Sequence, residues 1–304
     1  MMIQMQMNST SQSHSLEIAP TIVGAPSCFV LNCPVCEQKN WRPALRVRFS
    51  QLFQCAQCGL IATGNFVLGN TNPDQIYEVG PENHRLYRQW YLENRLRSYQ
   101  RVIPTLEVFR HSGRLLEIGS AYGYFLEYAA RFKWHAEGVE LAAYPCEVAR
   151  SKGCHVIQGK LEDAKLEQGA YDIVMMWDVI EHLTDVGKVL ERSFELLRSG
   201  GALIARTPDG RALFELQGLL GSAYRNLAYP ANTAEHVFHF TPANLSLLLG
   251  KKGYGQCKTD ASVDWQEIII GGRNSIVRLG RSLIFRVAFA RNWPYEFVIT
   301  AVKP

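Results

Sequence analysis

Long apolar runs and strong charge are both missing from this chain of 304 residues. No stretch reaches the roughly 18 apolar residues that a membrane-spanning helix needs. Residues 1–27 lack the basic start and apolar core of a secretory signal. The net charge is only +4, which permits an anionic ligand but does not require nucleic acid. With 47% hydrophobic and 20% charged residues, the chain is expected to be a cytoplasmic globular protein.

Internal repeats are also absent, and biased composition is confined to residues 1–27, which are rich in Met, Gln and Ser. Such a segment is predicted to be a disordered tail, because it cannot bury an apolar core. The remaining sequence is expected to form a ribbon over 28–63, a linker with cap helices over 64–113, and an α/β domain over 114–304. Aromatic residues among arginines over 83–109 either pack on the core or cover a site.

The eight cysteines are not expected to form disulfides in a cytoplasmic protein. Four of them form two Cys-x-x-Cys pairs, Cys33 with Cys36 and Cys55 with Cys58, and eighteen residues separate the pairs. This spacing is typical of a zinc ribbon. Four thiolates complete a tetrahedral site and leave no position open for water. The pattern therefore predicts a structural zinc ion bound by these four residues, with hairpin strands over 41–53.

A second pattern, RLLEIGSAYGYF over residues 114–125, joins a short apolar strand to an apolar helix. Small residues in the turn let backbone N–H groups approach a ligand closely. The spacing is not the GxGxxG dinucleotide fingerprint, because Gly119 and Gly123 are four residues apart. Glu140 follows the next predicted strand, where it can accept hydrogen bonds from ribose hydroxyls. We therefore predict a nucleotide-type cofactor site at the carboxyl edge of a parallel sheet.

Strands and helices alternate from Arg114 onward, which predicts a parallel sheet. Strands are expected at 114–118, 136–140, 154–158, 171–177 and 201–207, and helices near 123–133, 144–152 and 185–198. Glu267–Ile270 and Tyr295–Val302 are predicted to add an antiparallel pair. A further helix is expected to start with Thr241 as its N-cap and to stop at Gly253.

Two segments are longer or more apolar than ordinary connections. Residues near 210–240 and 273–292 are predicted to be lid insertions. A basic amphipathic helix over 275–289 could also contact a membrane surface, although its arginines do not collect on one face.

The sequence resembles the class I S-adenosylmethionine-dependent methyltransferases in four features. They are the turn E-x-G-x-x-x-G, the acidic Glu140 after the next strand, YDIVMMWDVIEHL over 171–183 and LRSGGALIARTPD over 197–209. Ala121 replaces the middle glycine of that family's usual turn. The resemblance covers roughly residues 86–304, and it implies a Rossmann-like, mostly parallel seven-stranded sheet with S-adenosylmethionine as cofactor. It assigns cofactor binding to Glu117, Gly119, Ala121, Gly123, Glu140, Leu141, Leu161, Glu162 and Asp178.

A general base is needed if the acceptor is a hydroxyl or an acidic carbon. His182 follows the fourth strand, on the cofactor side of the sheet, and imidazole titrates near neutral pH. His236 and His239 come after the first predicted lid and are the competing candidates. For each of the three, the alternative is a packed, hydrogen-bonded histidine without a catalytic role.

The ribbon together with this core resembles a bacterial group that methylates small molecules, including C-methyltransferases of nucleotide-linked deoxysugars. The core alone is similar to O-methyltransferases of quinone biosynthesis. The resemblance therefore implies methyl transfer to a carbon or oxygen atom of a small-molecule acceptor. An RNA base methyltransferase is the alternative, because the ribbon holds Lys39, Arg42, Arg46 and Arg48, although the mild net charge disfavours it. A non-catalytic scaffold is a second alternative, which the intact glycine turn disfavours. The sequence does not predict the oligomeric state.

Overall fold

The computed structural model describes residues 30–46, 50–67, 80–91, 95–211, 235–262 and 296–304. The predicted tail, most of the first lid, all of the second lid and the predicted strand Glu267–Ile270 lie outside the described residues. None of the described helices is long and apolar enough to cross a membrane.

The N-terminal ribbon, residues 30–67, is a small antiparallel unit. Its elements are β1 (Trp41–Arg46), β2 (Gln51–Cys55), β3 (Ile61–Thr63) and the short helix α1 (Gly64–Val67). Strands β1 and β2 pair as the predicted hairpin. Trp41 is buried and its indole N–H donates to the Leu31 carbonyl at 2.7 Å, which fixes the first cysteine pair against the hairpin.

Two helices precede the α/β domain. They are α2 (Pro81–Trp90) and α3 (Leu96–Leu106), followed by a 3-10 turn over Glu107–Phe109. Pro81 suits the first position of α2, where no backbone N–H is needed. Helix α3 buries Tyr99, Val102, Ile103 and Leu106, the spacing of an apolar helix face, and packs them on the domain core.

The α/β domain begins with five strands joined by helices. The strands are β4 (Arg114–Ile118), β5 (His135–Glu140), β6 (His155–Gln158), β7 (Tyr171–Trp177) and β8 (Leu197–Pro208). The helices are α4 (Tyr124–Ala130), α5 (Ala143–Ser151) and α6 (Val186–Leu196). The first six residues of β7 are buried, as expected for a strand covered on both faces.

The chain continues with β9 (Phe238–His239), α7 (Pro242–Lys251), β10 (Cys257–Ser262) and β11 (Glu296–Val302). The large sheet has the order β10-β11-β8-β7-β4-β5-β6. Its five strands from β4 to β8 run parallel to one another. Strand β11 runs antiparallel to both of its neighbours, β8 and β10. This order confirms the predicted Rossmann-like, mostly parallel seven-stranded sheet. Thr241 caps α7 and accepts a hydrogen bond from the Asn244 N–H at 3.3 Å, as predicted.

The antiparallel partner of β11 is β10, over Cys257–Ser262, where the sequence pattern predicts no strand. Lys258, Thr259 and Asp260 are exposed, because β10 lies at the edge of the sheet. A polar edge strand carries no apolar pattern, so this strand was not predicted.

The ribbon and the α/β domain share one sheet and one core. Strand β9 pairs with β3, so the small sheet has the order β1-β2-β3-β9. A single cluster of buried side chains contains Phe53 and Val67 from the ribbon together with Leu116, Val174 and Phe238. The ribbon is therefore packed into the rest of the protein.

Candidate active site at the carboxyl edge of the sheet

The glycine turn, residues 119–123, connects β4 to α4. Gly119 has φ +71° and Gly123 has φ +72°, and a Cβ atom on Gly119 would lie 2.5 Å from a methyl carbon of Val179. Only glycine fits there. Ala121 has φ +44°, a conformation that costs an L-residue about 1 kcal/mol and that glycine would adopt without this cost.

Glu140 fastens the glycine turn to the end of β5. Its two carboxylate oxygens accept hydrogen bonds from the Ala121 N–H and the Ala142 N–H, both at 2.8 Å. Burial raises the pKa of Glu140, and these backbone hydrogen bonds oppose the rise. Each carboxylate oxygen has a second lone pair, so Glu140 can accept further hydrogen bonds.

Three buried polar atoms beside the turn have no hydrogen-bond partner among the described residues. They are Glu117 Oε2, Ser120 Oγ and the Tyr122 hydroxyl. Burial and the neighbouring Glu140 carboxylate raise the pKa of Glu117 well above its ordinary value. Unpaired buried polar groups are costly, and a site for an unseen ligand is one explanation for them. Carboxylates and a hydroxyl around close-approaching amides fit a nucleoside that carries a polar tail.

Helix α2 lies against the glycine turn. The His84 ring stacks on Tyr122 with centroids 4.5 Å apart, and its Nε2 is 3.0 Å from the Tyr124 hydroxyl. Tyr87 contacts Tyr122 with ring centroids 5.0 Å apart, and its pKa is raised by burial and by Glu117. At least part of the aromatic stretch over 83–109 therefore packs beside the predicted cofactor site.

The other residues assigned to the cofactor differ in their surroundings. Leu141 is half-buried after β5, Leu161 is buried, and Glu162 is exposed on a 3-10 turn after β6. Asp178 follows β7 with φ +55°, and its carboxylate pairs with Arg95.

Asp178 belongs to a buried network of charges that the sequence analysis did not find. Arg206, on β8, is fully buried, and its Nε lies 3.7 Å from Oδ1 of Asp178. Its guanidinium also pairs with Glu296 of β11. Arg95 comes from the segment before α3, so four distant segments meet at this point.

The histidine cluster, His182, His236 and His239, lies at the junction of the domain with the ribbon. The ring centroids of His182 and His236 are 4.8 Å apart, and those of His236 and His239 are 5.9 Å apart. The structure thus brings all three candidate bases together. One carboxylate oxygen of Glu181 and one ring nitrogen each of His182 and His236 lie within 4.8 Å of one another.

Hydrogen bonding identifies the basic nitrogen of His182. Its Nδ1 lies 3.1 Å from the Glu235 carbonyl oxygen. Because a carbonyl can only accept, Nδ1 carries the proton, and Nε2 is the acceptor nitrogen of the neutral ring. Burial lowers the pKa of His182 to about 4, so the ring is neutral near pH 7 but is a weaker base than a solvated imidazole.

Glu181 was missed as a site residue, although it precedes His182 in the sequence. Its side chain is almost completely buried. Burial raises the pKa of Glu181 to about 8, and the nearby Glu296 adds to the rise. The carboxyl group is therefore mostly protonated near pH 7. The sequence signal for Glu181 was its position next to His182, just after the central strand β7.

The four ribbon cysteines converge as predicted. The Cys33 and Cys58 sulfurs are 3.3 Å apart, the Cys36 and Cys55 sulfurs are 3.4 Å apart, and all four lie within 4.8 Å of one another. The hydrogen bond from Cys33 lowers the pKa of Cys58 to about 5. Four clustered sulfurs, one of them easily ionised, fit a thiophilic metal ion such as zinc.

The sheet order and the glycine turn fastened to Glu140 define a Rossmann-like domain with a nucleotide-type site at its carboxyl edge. A family model described as a methyltransferase domain matches residues 91–255. The chain therefore belongs to this methyltransferase family, and the predicted enzyme class is confirmed.

Curated relatives agree with this assignment. The ubiquinone biosynthesis O-methyltransferase of Psychrobacter cryohalolentis is 23% identical over 243 residues, which cover 75% of this chain and 86% of that protein. The enzyme of the same name from Aeromonas salmonicida is 29% identical over 139 residues, 43% of this chain and 58% of that protein. The chain thus matches less than two thirds of the Aeromonas protein.

Two solved structures share the fold. A SAM-dependent methyltransferase from Archaeoglobus fulgidus has a TM-score of 0.52 at 18% identity and covers 72% of this chain and 99% of its own. A SAM-dependent methyltransferase from Thermotoga maritima, described as a possible histamine N-methyltransferase, has a TM-score of 0.51 at 21% identity and covers 77% of this chain and 100% of its own.

Proposed function

We propose that this protein transfers the methyl group of S-adenosylmethionine to a carbon or oxygen atom of a small-molecule acceptor. Acceptors of the natural-product, sugar or quinone type are the candidates. The observation that carries the proposal is the glycine turn tied to Glu140, beside three buried polar atoms that have no partner within the described part of the chain. Relatives named for ubiquinone biosynthesis favour a quinone-like acceptor among these.

The cofactor, when bound, supplies an electrophilic methyl group on a sulfonium ion. Glu140 would accept hydrogen bonds from its ribose hydroxyls. Glu117 and the turn residues Gly119, Ala121 and Gly123 would hold its polar tail and ribose. The remaining contacts are assigned to Leu141, Leu161, Glu162 and Asp178.

On the acceptor side, His182 is the proposed base. Its Nε2 would take the proton that the acceptor loses, while the Glu235 carbonyl holds the ring through Nδ1. A base whose pKa is about 4 deprotonates an acidic hydroxyl far more readily than an ordinary alcohol. This favours a phenolic acceptor, which agrees with the quinone-like candidate. His236 and His239 would position the ring or the acceptor.

Incubation with methyl-labelled cofactor tests the proposal. Three pools are compared: a short-chain prenyl catechol, an extract of small metabolites, and total RNA, each also with heat-denatured protein as the inactive control. We expect label in the catechol or in the metabolite pool with the unaltered protein alone. Label in none of the three would contradict the proposed activity.

RNA remains the alternative acceptor because of the ribbon surface. Lys39, Arg42 and Arg46 are all exposed there, as a phosphate-binding face requires. Label confined to RNA, and lost when these three are changed to Ser, would establish the alternative and exclude the small-molecule acceptor.

We also propose that Cys33, Cys36, Cys55 and Cys58 hold one structural zinc ion, and that the protein is cytoplasmic. The support is the convergence of the four sulfurs. A reducing compartment would keep them free to bind metal. Elemental analysis of the purified protein tests the first part, with one zinc ion per chain as the expected value.

A further inference from the structure

The ribbon reaches the histidine cluster through its last strand. Ile61 pairs with His239 and Ala62 with Phe238, and the Thr63 N–H donates to the Val237 carbonyl at 3.0 Å. A second link lies at the cysteine end, where Lys251 Nζ donates to the Val35 carbonyl at 2.6 Å. The ribbon is therefore held to the domain both at its cysteines and at its strand β3.

The Thr63 side chain is completely buried between two of the histidines. Its hydroxyl is 2.6 Å from the His236 carbonyl oxygen and 3.0 Å from Nε2 of the His239 ring. A hydroxyl has one proton, and a carbonyl oxygen can only accept. The Thr63 proton therefore goes to the His236 carbonyl, and the Thr63 oxygen accepts from His239 Nε2–H.

This arrangement specifies the state of the His239 ring. Burial lowers the pKa of His239 to about 3, so the ring is neutral near pH 7. A neutral imidazole carries one proton. With that proton on Nε2, the acceptor nitrogen is Nδ1.

We infer that Thr63 is a positioning residue of the histidine cluster, supplied by the ribbon: it holds the His239 ring in the Nε2–H tautomer and anchors the backbone of His236. The ribbon thereby sets the geometry of the site where the acceptor would bind. The consequence for turnover rests on the proposed function, whereas the assignment of the tautomer does not.

The tautomer can be measured directly in the full-length, zinc-loaded protein labelled with ¹⁵N-histidine. Long-range ¹H–¹⁵N spectra distinguish the two ring nitrogens, and a His239→Gln variant assigns the His239 signals. We expect His239 to carry its proton on Nε2 in the unaltered protein and in Thr63→Ser, which keeps the hydroxyl. Thr63→Val, which has the same shape without the hydroxyl, should lose this tautomer. A proton on Nδ1 in the unaltered protein, or an unchanged spectrum in Thr63→Val, would overturn the inference.

Kinetics with the prenyl catechol separates positioning from general stability. Thr63→Val should lower kcat/KM by about tenfold or more, because it leaves a buried N–H and a carbonyl without their partner, and Thr63→Ser should restore most of it. The affinity for S-adenosylhomocysteine should stay within about twofold. Thr105→Val, at an exposed helical threonine, is the matched control and should match the unaltered protein.

Equal kinetics in Thr63→Val and the unaltered protein would remove Thr63 from the acceptor site. If no acceptor is methylated by the unaltered protein, the proposed function fails, and the ¹⁵N spectra alone decide the positioning of His239. The two failures are therefore distinguishable.

Discussion

The proposed cofactor end and the proposed acceptor end of the candidate site are assembled in opposite ways. The cofactor end comes from one continuous stretch, residues 114–142, in which a strand, a turn and a second strand end meet at Glu140. The acceptor end joins Thr63, Glu181, Arg206 and the segment 235–239, which lie far apart in the sequence. The first depends on local geometry, and the second depends on the whole fold, including the ribbon.

The two ends also differ in which polar groups they leave for a ligand. Beside the glycine turn, Glu117 Oε2 and the Tyr122 hydroxyl have no hydrogen-bond partner among the residues described. In the acceptor end, Arg206 pairs with Glu296 and the His182 and His239 rings have hydrogen-bond partners, but the two carboxylate oxygens of Glu181 are also buried without a partner among the described residues. Both ends therefore hold buried polar groups that a ligand could satisfy: a carboxyl and a hydroxyl at the cofactor end, and the carboxyl of Glu181, mostly protonated near pH 7, at the acceptor end. Substitutions at the cysteines, His182, Glu181 and Glu140 test the contrast between the two ends.

Loss of the proposed zinc ion should have the largest effect, and it should fall on the acceptor end only. In Cys33→Ser/Cys36→Ser, we expect zinc to drop from one ion per chain to none, because two of its four ligands are gone. Since folding of a zinc ribbon is coupled to metal binding, β3 should lose its place beside the histidines and methyl transfer should fall to background. Binding of S-adenosylhomocysteine, measured by calorimetry, should persist.

Cys257→Ser is the matched control for the metal, because this half-buried cysteine lies outside the ribbon. It should keep both zinc and turnover. Full turnover in a zinc-free double variant would show that the acceptor end does not depend on the ribbon.

Removal of the proposed base should have the next largest effect. His182→Ala should lower kcat by roughly a hundredfold, the ordinary contribution of general base catalysis, with little change in cofactor affinity. Because the pKa of His182 lies at about 4, kcat should not rise through an imidazole titration near pH 6.5. His135→Ala, at an exposed histidine on β5, serves as the control. A variant with normal turnover and reduced thermal stability would identify His182 as a packing residue.

The same contrast explains how far the sequence could lead. Gly119, Gly123 and Glu140 lie within one strand–turn–helix–strand unit, so spacing alone predicted their meeting. The two cysteine pairs were predicted equally well, because each pair is local and a shared metal site would account for their convergence. These signals belong to short segments whose geometry is nearly independent of the remaining fold.

For the acceptor end, the sequence predicted only separate candidate residues and not their arrangement. Thr63 and His236 are 173 positions apart, and Arg206 and Glu296 are 90 apart. No periodicity or spacing links residues at such separations, and their pairing depends on the order of strands in both sheets. The histidines were identified by chemistry, but their low pKa values follow from burial that only the packed fold reveals.

Glu181 provides a test of the electrostatics through stability. Its pKa is raised from 4.5 to about 8, so between these values the folded protein holds a proton that the unfolded chain has released. The contribution of Glu181 to the free energy of unfolding is therefore fully present below about pH 4.5, and it is lost as the pH rises toward 8. The lowered pKa of His182 acts in the opposite direction, but only between about pH 4 and 6.5. Between pH 6.5 and 8, the pH dependence of the free energy of unfolding therefore reports on Glu181 and not on His182.

In that window, Glu181→Gln should become more stable relative to the unaltered protein as pH rises. The expected gain is about 1.4 kcal/mol per pH unit, or roughly 2 kcal/mol across the window, measured by urea denaturation. Glu162→Gln, at an exposed position, should show no such trend. Parallel pH profiles for Glu181→Gln and the unaltered protein would mean that the carboxyl is already ionised at pH 6.5.

The smallest effect should come from Glu140, because it acts on binding alone. Glu140→Ala should lower the affinity for S-adenosylhomocysteine by about fivefold or more. This corresponds to about 1 kcal/mol for lost hydrogen bonds to a charged acceptor. Glu147→Ala, exposed on α5, is the control and should bind normally.

Glu140 has two tasks, so the affinity loss must be divided between them. Its oxygens hold the Ala121 and Ala142 amides, and they would also accept from the ribose. A cycle that combines Glu140→Ala with a 2′-deoxy analogue of S-adenosylhomocysteine separates the two contributions. If Glu140 binds the ribose, the analogue should bind the unaltered protein more weakly than the parent ligand, and the variant should bind both alike. An equal penalty for the analogue in both proteins would leave Glu140 as the anchor of the turn and place the ribose contact elsewhere.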